Sequence, residues 1–164
     1  MINTRIVASA FLYHENKVLL LKRGLHKELA PGMWAGIGGH MDMCDIKDPR
    51  KLQLMETCYR EICEETGINR DNIEDMQLKY TTVRFTGDEI RYLHQFVGRL
   101  KSEINPPPCD EGELHWVDKS VALTLPMTPS LKTIYTHWLQ NPSGEGIHLV
   151  IVSGDGQHTT LVKL

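Results

Sequence analysis

The chain has 164 residues, 41% of them apolar and 24% charged, values of an ordinary globular protein that is long enough to bury a real core in one domain, residues 1–164. Its formal net charge of -3 excludes a protein that holds a nucleic-acid duplex through a broad basic surface, although Lys22-Arg23 and Arg50-Lys51 are short clusters able to meet a small anion. No stretch approaches the length needed to cross a bilayer, and four cysteines without a C-x-x-C pair favour a reducing, cytoplasmic setting over disulfides or structural zinc.

Arg5 to Tyr13 and Lys17 to Lys22 are apolar runs joined by His14-Glu15-Asn16, which predicts an antiparallel hairpin rather than a signal peptide. A loop from Arg23 to Gly32 leads to Trp34-Ala35-Gly36-Ile37-Gly38-Gly39, read as one short strand whose paired glycines allow close backbone approach to a ligand. Asp48-Pro49 has the form of an N-cap followed by proline, so a helix is expected from about Pro49 to Thr66, stopped by Gly67. Its apolar side is Leu52, Met55, Tyr59, Ile62 and Cys63, with Cys58 and Cys63 as packing residues and Glu61, Glu64 and Glu65 roughly opposite.

Met76 to Phe85 and Ile90 to Leu100 flank Thr86-Gly87-Asp88-Glu89, a second hairpin signal. Ser102 to Gly112 is a proline-rich loop, Glu113 to Val117 a short strand, and Pro129 to Gln140 a helix with Leu131, Ile134, Tyr135, Trp138 and Leu139 at helical spacing. Ile147 to Val152 and Thr159 to Leu164 form a third hairpin. His26, His94, His115 and His137 lack metal-ligand spacing, so surface or hydrogen-bonded positions are expected of them.

The chemistry is concentrated at Arg60 to Ile68. Glu61, Glu64 and Glu65 stand at i, i+3 and i+4, where like charges repel unless a cation lies among them. Carboxylates without His or Cys on that face suit Mg²⁺, or Mn²⁺, before zinc. Lys22 and Arg23 are candidates to hold terminal phosphates, or else a solvated basic pair, and Trp34 to stack on a base, or else to pack in the core.

Paired glycines followed by a helix bearing R-E-U-x-E-E-x-G-U, with U aliphatic, resemble the signature of the Nudix hydrolases. Arg60, Glu61, Ile62, Glu64, Glu65, Gly67 and Ile68 match its second half, with a chance on the order of one in a million or rarer per start position. The first half departs, because the family places a glutamate six residues after the glycine and the arginine eight further on. Here Gly39 lies seven residues too early and Leu52 stands eight before Arg60, so His40 to Asp48 looks like an insertion, with Asp42, Asp45 and Asp48 as candidates to replace the glutamate.

The resemblance implies an α/β (α+β) Nudix fold, a mixed sheet sandwiched between helices with a C-terminal β-hairpin. It implies Glu61 and Glu65 as Mg²⁺ ligands with the Gly38 carbonyl, Glu64 binding a further ion or positioning water, and Arg60 orienting Glu61. Glu111 is the expected downstream carboxylate, as metal ligand or general base. The layout also looks like the branch that hydrolyses oxidised purine nucleoside triphosphates. Two departures are Ala35, where that branch can carry asparagine, and Leu125-Pro126-Met127-Thr128, where it can carry paired aspartates; Met127 is the candidate substrate contact there.

The expected activity is Mg²⁺-dependent cleavage of a nucleoside diphosphate linked to another moiety, foremost a nucleoside triphosphate to monophosphate and pyrophosphate. An ADP-ribose or nucleotide-sugar pyrophosphatase and a non-catalytic nucleotide-binding module are the competing expectations. The expected partner is a small nucleotide, with no membrane and a monomer or small homo-oligomer.

Overall fold

The computed structural model describes residues 2–48 and 53–164. The expected helix start at Pro49, the Arg50-Lys51 pair and Leu52 lie outside the described residues. Among the described residues nine strands form one mixed sheet in the order β3-β2-β1-β6-β5-β8-β9, with β4 also on β1 and β7 also on β2.

Strand β1 (Asn3–His14) is the axis of the sheet. Its polar turn returns the chain into β2 (Lys17–Arg23), which pairs antiparallel with the second half of β1, Leu12 opposite Leu19. The glycine-rich stretch makes two strands where the sequence suggests one. β3 (Trp34–Ala35) pairs with β2, and after Gly36 the chain crosses to β4 (Ile37–His40), which pairs with the middle of β1, Ser9 opposite Gly38. On its other side β1 runs parallel to β6 (Glu89–Leu100), which pairs antiparallel with β5 (Ile73–Thr86).

Alternation along β1 divides the interior in two. Ala8, Ala10 and Leu12 face α1 (Leu54–Thr66), packing with Ile37, Cys58, Ile62 and Phe96. Phe11 faces α3 (Pro129–Gln140) with Val18, Tyr80, Leu131, Ile134 and Val150. Its ring stacks on Trp138 at 5.4 Å between centroids and meets the edge of Tyr135 at 5.1 Å. Strand β7 (Gly112–Asp118) pairs along β2, and a one-turn helix α2 (Lys119–Ala122), not signalled in the sequence, follows it. The C-terminal hairpin of β8 (His148–Val152) and β9 (Thr159–Lys163) joins the sheet through a parallel pairing of β8 with β5.

Helix α1 departs from expectation in two ways. It begins at Leu54 with Gln53 in the cap position, later than the Asp48-Pro49 signal placed it. Its buried residues are Thr57, Cys58, Ile62, Glu65 and Thr66, whereas Cys63 is exposed. The packed arc is centred on Cys58, so Glu65 lies on the sheet side with Ile62 and only Glu64 points outward. Small Ala8 and Ala10 beneath the helix, and glycine at 38 and 39 beside it, permit this approach.

Two glycines are held by different forces. Gly67 ends α1 at φ 71°, its N–H donating to the Cys63 carbonyl at 2.9 Å, and a Cβ there would meet nothing within 4 Å. Gly38 has φ 150°, and a Cβ there would lie 2.2 Å from the Ala8 carbonyl oxygen. Gly67→Ala is therefore expected to cost about 1 kcal/mol, a conformational cost alone, and Gly38→Ala at least ~2 kcal/mol because the β1–β4 backbone must part. Urea unfolding of both variants measures the difference, and equal losses would contradict it.

Candidate active site

The signature helix and the glycine strand meet along one line. Glu65, 7% exposed, accepts a hydrogen bond from the Gly38 N–H at 3.0 Å. One turn earlier Glu61 lies against Gly39, where a Cβ would come within 2.5 Å of its carboxylate. Burial pushes the Glu65 carboxyl up to about 8, with Glu61 and Glu111 adding to the rise and the Gly38 N–H opposing it. Burial also raises Glu61, partly offset by Arg60. Both shifts have the same meaning: two carboxylates are held out of water with too little positive charge beside them.

Arg60 supplies what positive charge there is. Its Nε donates to Asp45 Oδ1 at 2.8 Å and one Nη to Asp45 Oδ2 at 3.0 Å, a bidentate pair. The same guanidinium reaches Glu61 at 3.1 Å, Glu64 at 3.0 Å and the His40 carbonyl at 2.9 Å. It does not pair with Glu65. Asp45 is 5% exposed and also accepts from Thr57 Oγ1 at 2.9 Å and the Asp42 N–H at 2.9 Å.

Asp45 takes the role that the sequence left open among Asp42, Asp45 and Asp48. It stands six residues after Gly39, the family spacing, so the extra residues fall after Asp45 and not across His40 to Asp48. That count was available in the sequence; the missing cue was that aspartate serves where the pattern asks for glutamate.

A cavity of about 200 Å³ opens beside this line, and Gly38 belongs to both. Arg23, Trp34, Ala35 and Thr128 line it together with strand residues of β1, β5 and β6. Trp34 is half-buried, packed on the α3-side core, with its ring 5.3 Å from that of His115. It thus packs and lines the cavity at once. Glu111 joins from the loop before β7, 2.6 Å from Lys27 Nζ and 3.8 Å from an Arg23 Nη.

Other candidates stand apart. The Glu64 side chain is 59% exposed and is engaged by Arg60. Lys22 is exposed on β2 and does not line the cavity, and Met127 is buried in the core, leaving Thr128 as the contact from that segment. His94, His115 and His137 each bond a neighbouring side chain, Thr81, Glu113 and Tyr80 respectively. Thr82, Arg84, Arg91 and Gln95 were not singled out by the sequence, because they converge only through strand register, and neither was Lys27, which meets Glu111 from the loop after β2.

Among the described residues no three His, Cys, Asp or Glu side chains are gathered in metal-ligand geometry. The donor set nonetheless fits a hard cation: Glu61 and Glu65 offer carboxylate oxygens, both are raised by burial, and the guanidinium beside them reaches only one.

The NUDIX domain model matches residues 3–138. A MutT protein from Bacillus halodurans shares the fold at a TM-score of 0.69 and 24% identity, covering 96% of this chain and 97% of that one. The E. coli ORF135 protein aligns at 0.63 with 21% identity, over 87% and 93% of the two chains. A C. elegans Ap4A hydrolase aligns at 0.64 with 15% identity, over 86% and 99%. No curated protein matches the chain. Among the described residues no helix is long and apolar enough to cross a membrane.

The Arg60 pair gives a pH dependence of known sign. Arg60 holds the Asp45 carboxyl down from 3.8 to about 2. A depressed carboxylate stabilises the fold fully above its unfolded value, and the contribution, about 2 kcal/mol, is lost as pH falls from 4 through 2. Asp45→Asn is expected to lower the melting temperature at pH 7 and to flatten the stability profile between pH 4 and 2, measured by thermal unfolding at a series of pH values. An unchanged acid limb would refute the role of Asp45.

Proposed function

The chain belongs to the NUDIX domain family, and from that premise we propose that it is a divalent-cation-dependent hydrolase of a nucleoside diphosphate linked to another moiety, foremost a nucleoside triphosphate cleaved to monophosphate and pyrophosphate. The observation that carries the reading is the pair of carboxylates, buried Glu65 and half-buried Glu61, pressed against the backbone of Gly38 and Gly39. Removing two acids from water is costly unless a cation compensates them. A solvated acidic helix face would keep both exposed.

Glu61 and Glu65 hold Mg²⁺ or Mn²⁺ in this proposal, with the Gly38 carbonyl as a backbone ligand. Bound there, the cation neutralises charge on the phosphate oxygens and makes hydroxide available near neutral pH. Arg60, locked in place by Asp45, positions Glu61 and keeps its carboxylate from turning away. Arg23, which lines the cavity, and Lys27 are the proposed diphosphate contacts, both already close to a carboxylate, Glu111. When phosphate oxygens take up the two cations, Glu111 is freed to accept a proton from the attacking water. The water oxygen bonds to phosphorus, the bond from phosphorus to the bridging oxygen breaks, and the electron pair leaves with the departing phosphate group.

The test is an incubation with Mg²⁺ and a panel of nucleoside triphosphates, nucleotide sugars and dinucleotides, with products identified. Pyrophosphate release from a triphosphate is expected; tight binding without turnover of any member would instead indicate a non-catalytic module. Glu65→Gln and Glu61→Gln are each expected to lower kcat by about 100-fold or more. Mg²⁺ should raise the Tm of the wild-type protein and leave that of Glu65→Gln unmoved.

A further inference from the structure

The strands that floor the cavity gather polar atoms that the fold does not satisfy. Register sets Ser9 beside Gln95, Leu93 beside Thr82, and Arg91 directly opposite Arg84. Alternate residues on one face of β1, β6 and β5 therefore project into the same space. Gln95 is fully buried and Thr82 is 5% exposed, yet Gln95 Oε1, Thr82 Oγ1 and Arg84 Nε have no hydrogen-bond partner. All three residues line the cavity. Buried polar groups are rarely left unpaired, and three orphans on one cavity mark a surface that a ligand completes.

The charge pattern states which ligand. Opposed like charges on neighbouring strands repel. Arg91 is held by Glu89 at 2.6 Å, whereas Arg84 has no carboxylate within ion-pair distance among the described residues and feels the more distant charge of Asp155. The β8–β9 turn lies against Arg84, where glycine at 156 leaves room, since a Cβ there would be 2.6 Å from an Nη. Asp155 of that turn accepts from Ser153 Oγ and the Gln157 N–H. Among the described residues no Asp or Glu lines the cavity. Its polar lining is thus rich in donors, with the Gln95 carbonyl as an orphaned acceptor.

We propose that this cavity selects a dioxo ring, in which one N–H lies between two carbonyl groups, as in a uracil or xanthine base. Each carbonyl oxygen offers two lone pairs to the guanidinium and hydroxyl donors, and the ring N–H meets Gln95 Oε1. An amino group in place of one carbonyl would set donor against donor, because a guanidinium accepts nothing. Trp34, Met33 and Leu131 supply apolar contact for the ring faces. At about 200 Å³ the cavity is smaller than the ~300–1,000 Å³ of drug-sized sites and admits the ring alone, so that the phosphates extend past Gly38 and Arg23 toward Glu65. Naming the ring as the base of a nucleotide rests on the proposed hydrolase function; the selectivity itself rests on the orphaned atoms.

The experiment is titration calorimetry of the intact protein with UMP, CMP, XMP and GMP, pairs that differ by one oxo-to-amino exchange. UMP is expected to bind about tenfold or more tightly than CMP, and XMP than GMP. Gln95→Leu removes the acceptor proposed for the ring N–H and Arg84→Met the donor-only guanidinium, and each is expected to bring the UMP:CMP ratio toward one while thermal unfolding shows a folded protein. Equal affinities, preference for the amino bases, no binding of any of the four, or a ratio unchanged in both variants would overturn the proposal. Selective UMP binding without turnover in the substrate panel would remove the hydrolase reading and leave the selectivity standing; turnover without oxo preference would do the reverse.

Discussion

The close approach of α1 to the backbone of β4 is the constraint on which the rest of the site depends. Neither Gly38 nor Gly39 could carry a side chain there, since one would strike the Ala8 carbonyl and the other the Glu61 carboxylate. With Ala8 and Ala10 beneath it, the helix settles deeply enough to carry Glu65 out of water along with Ile62 and Cys58. The burial that builds the core on that side is the burial that raises the two carboxylates. Packing and chemistry are consequences of one contact.

Arg60 makes that arrangement tolerable without neutralising it. Anchored by a buried aspartate, it reaches Glu61 and Glu64 but not Glu65. A mobile surface arginine would contribute little; one fixed bidentately to a buried partner places its charge permanently at the start of the acidic line. The anchor also ties the segment after β4 to the helix, so the extra residues between Asp45 and α1 leave the site geometry intact.

Much of this was legible in the chain. The hairpins, α3 and the Gly67 stop follow from period and turn chemistry, and the signature positions announced the carboxylates before any fold was known. The errors have definable causes. Asp48-Pro49 is a good local helix start, but α1 begins at Leu54, which packs against the core on that side of the sheet. A run through Gly36 reads as one strand, although two partners, β2 and β1, claim its halves. Cys63 fits an apolar stripe by spacing, yet the packed arc lies elsewhere because the small residues of β1 draw Cys58 and Glu65 inward.

The sequence by itself determined the family, the order of elements and the identity of the acidic residues, because those are properties of neighbouring positions: periodicity, turn residues and a fixed spacing along one helix. Which carboxylates are buried, which aspartate anchors Arg60 and what the cavity presents were decided only by the tertiary structure. Thr82, Arg84, Arg91 and Gln95 show why. They sit on two strands at positions unremarkable in sequence, and only the register of β5 against β6, with β1 alongside, turns them toward one space, where Thr82, Arg84 and Gln95 each keep an unpaired polar atom.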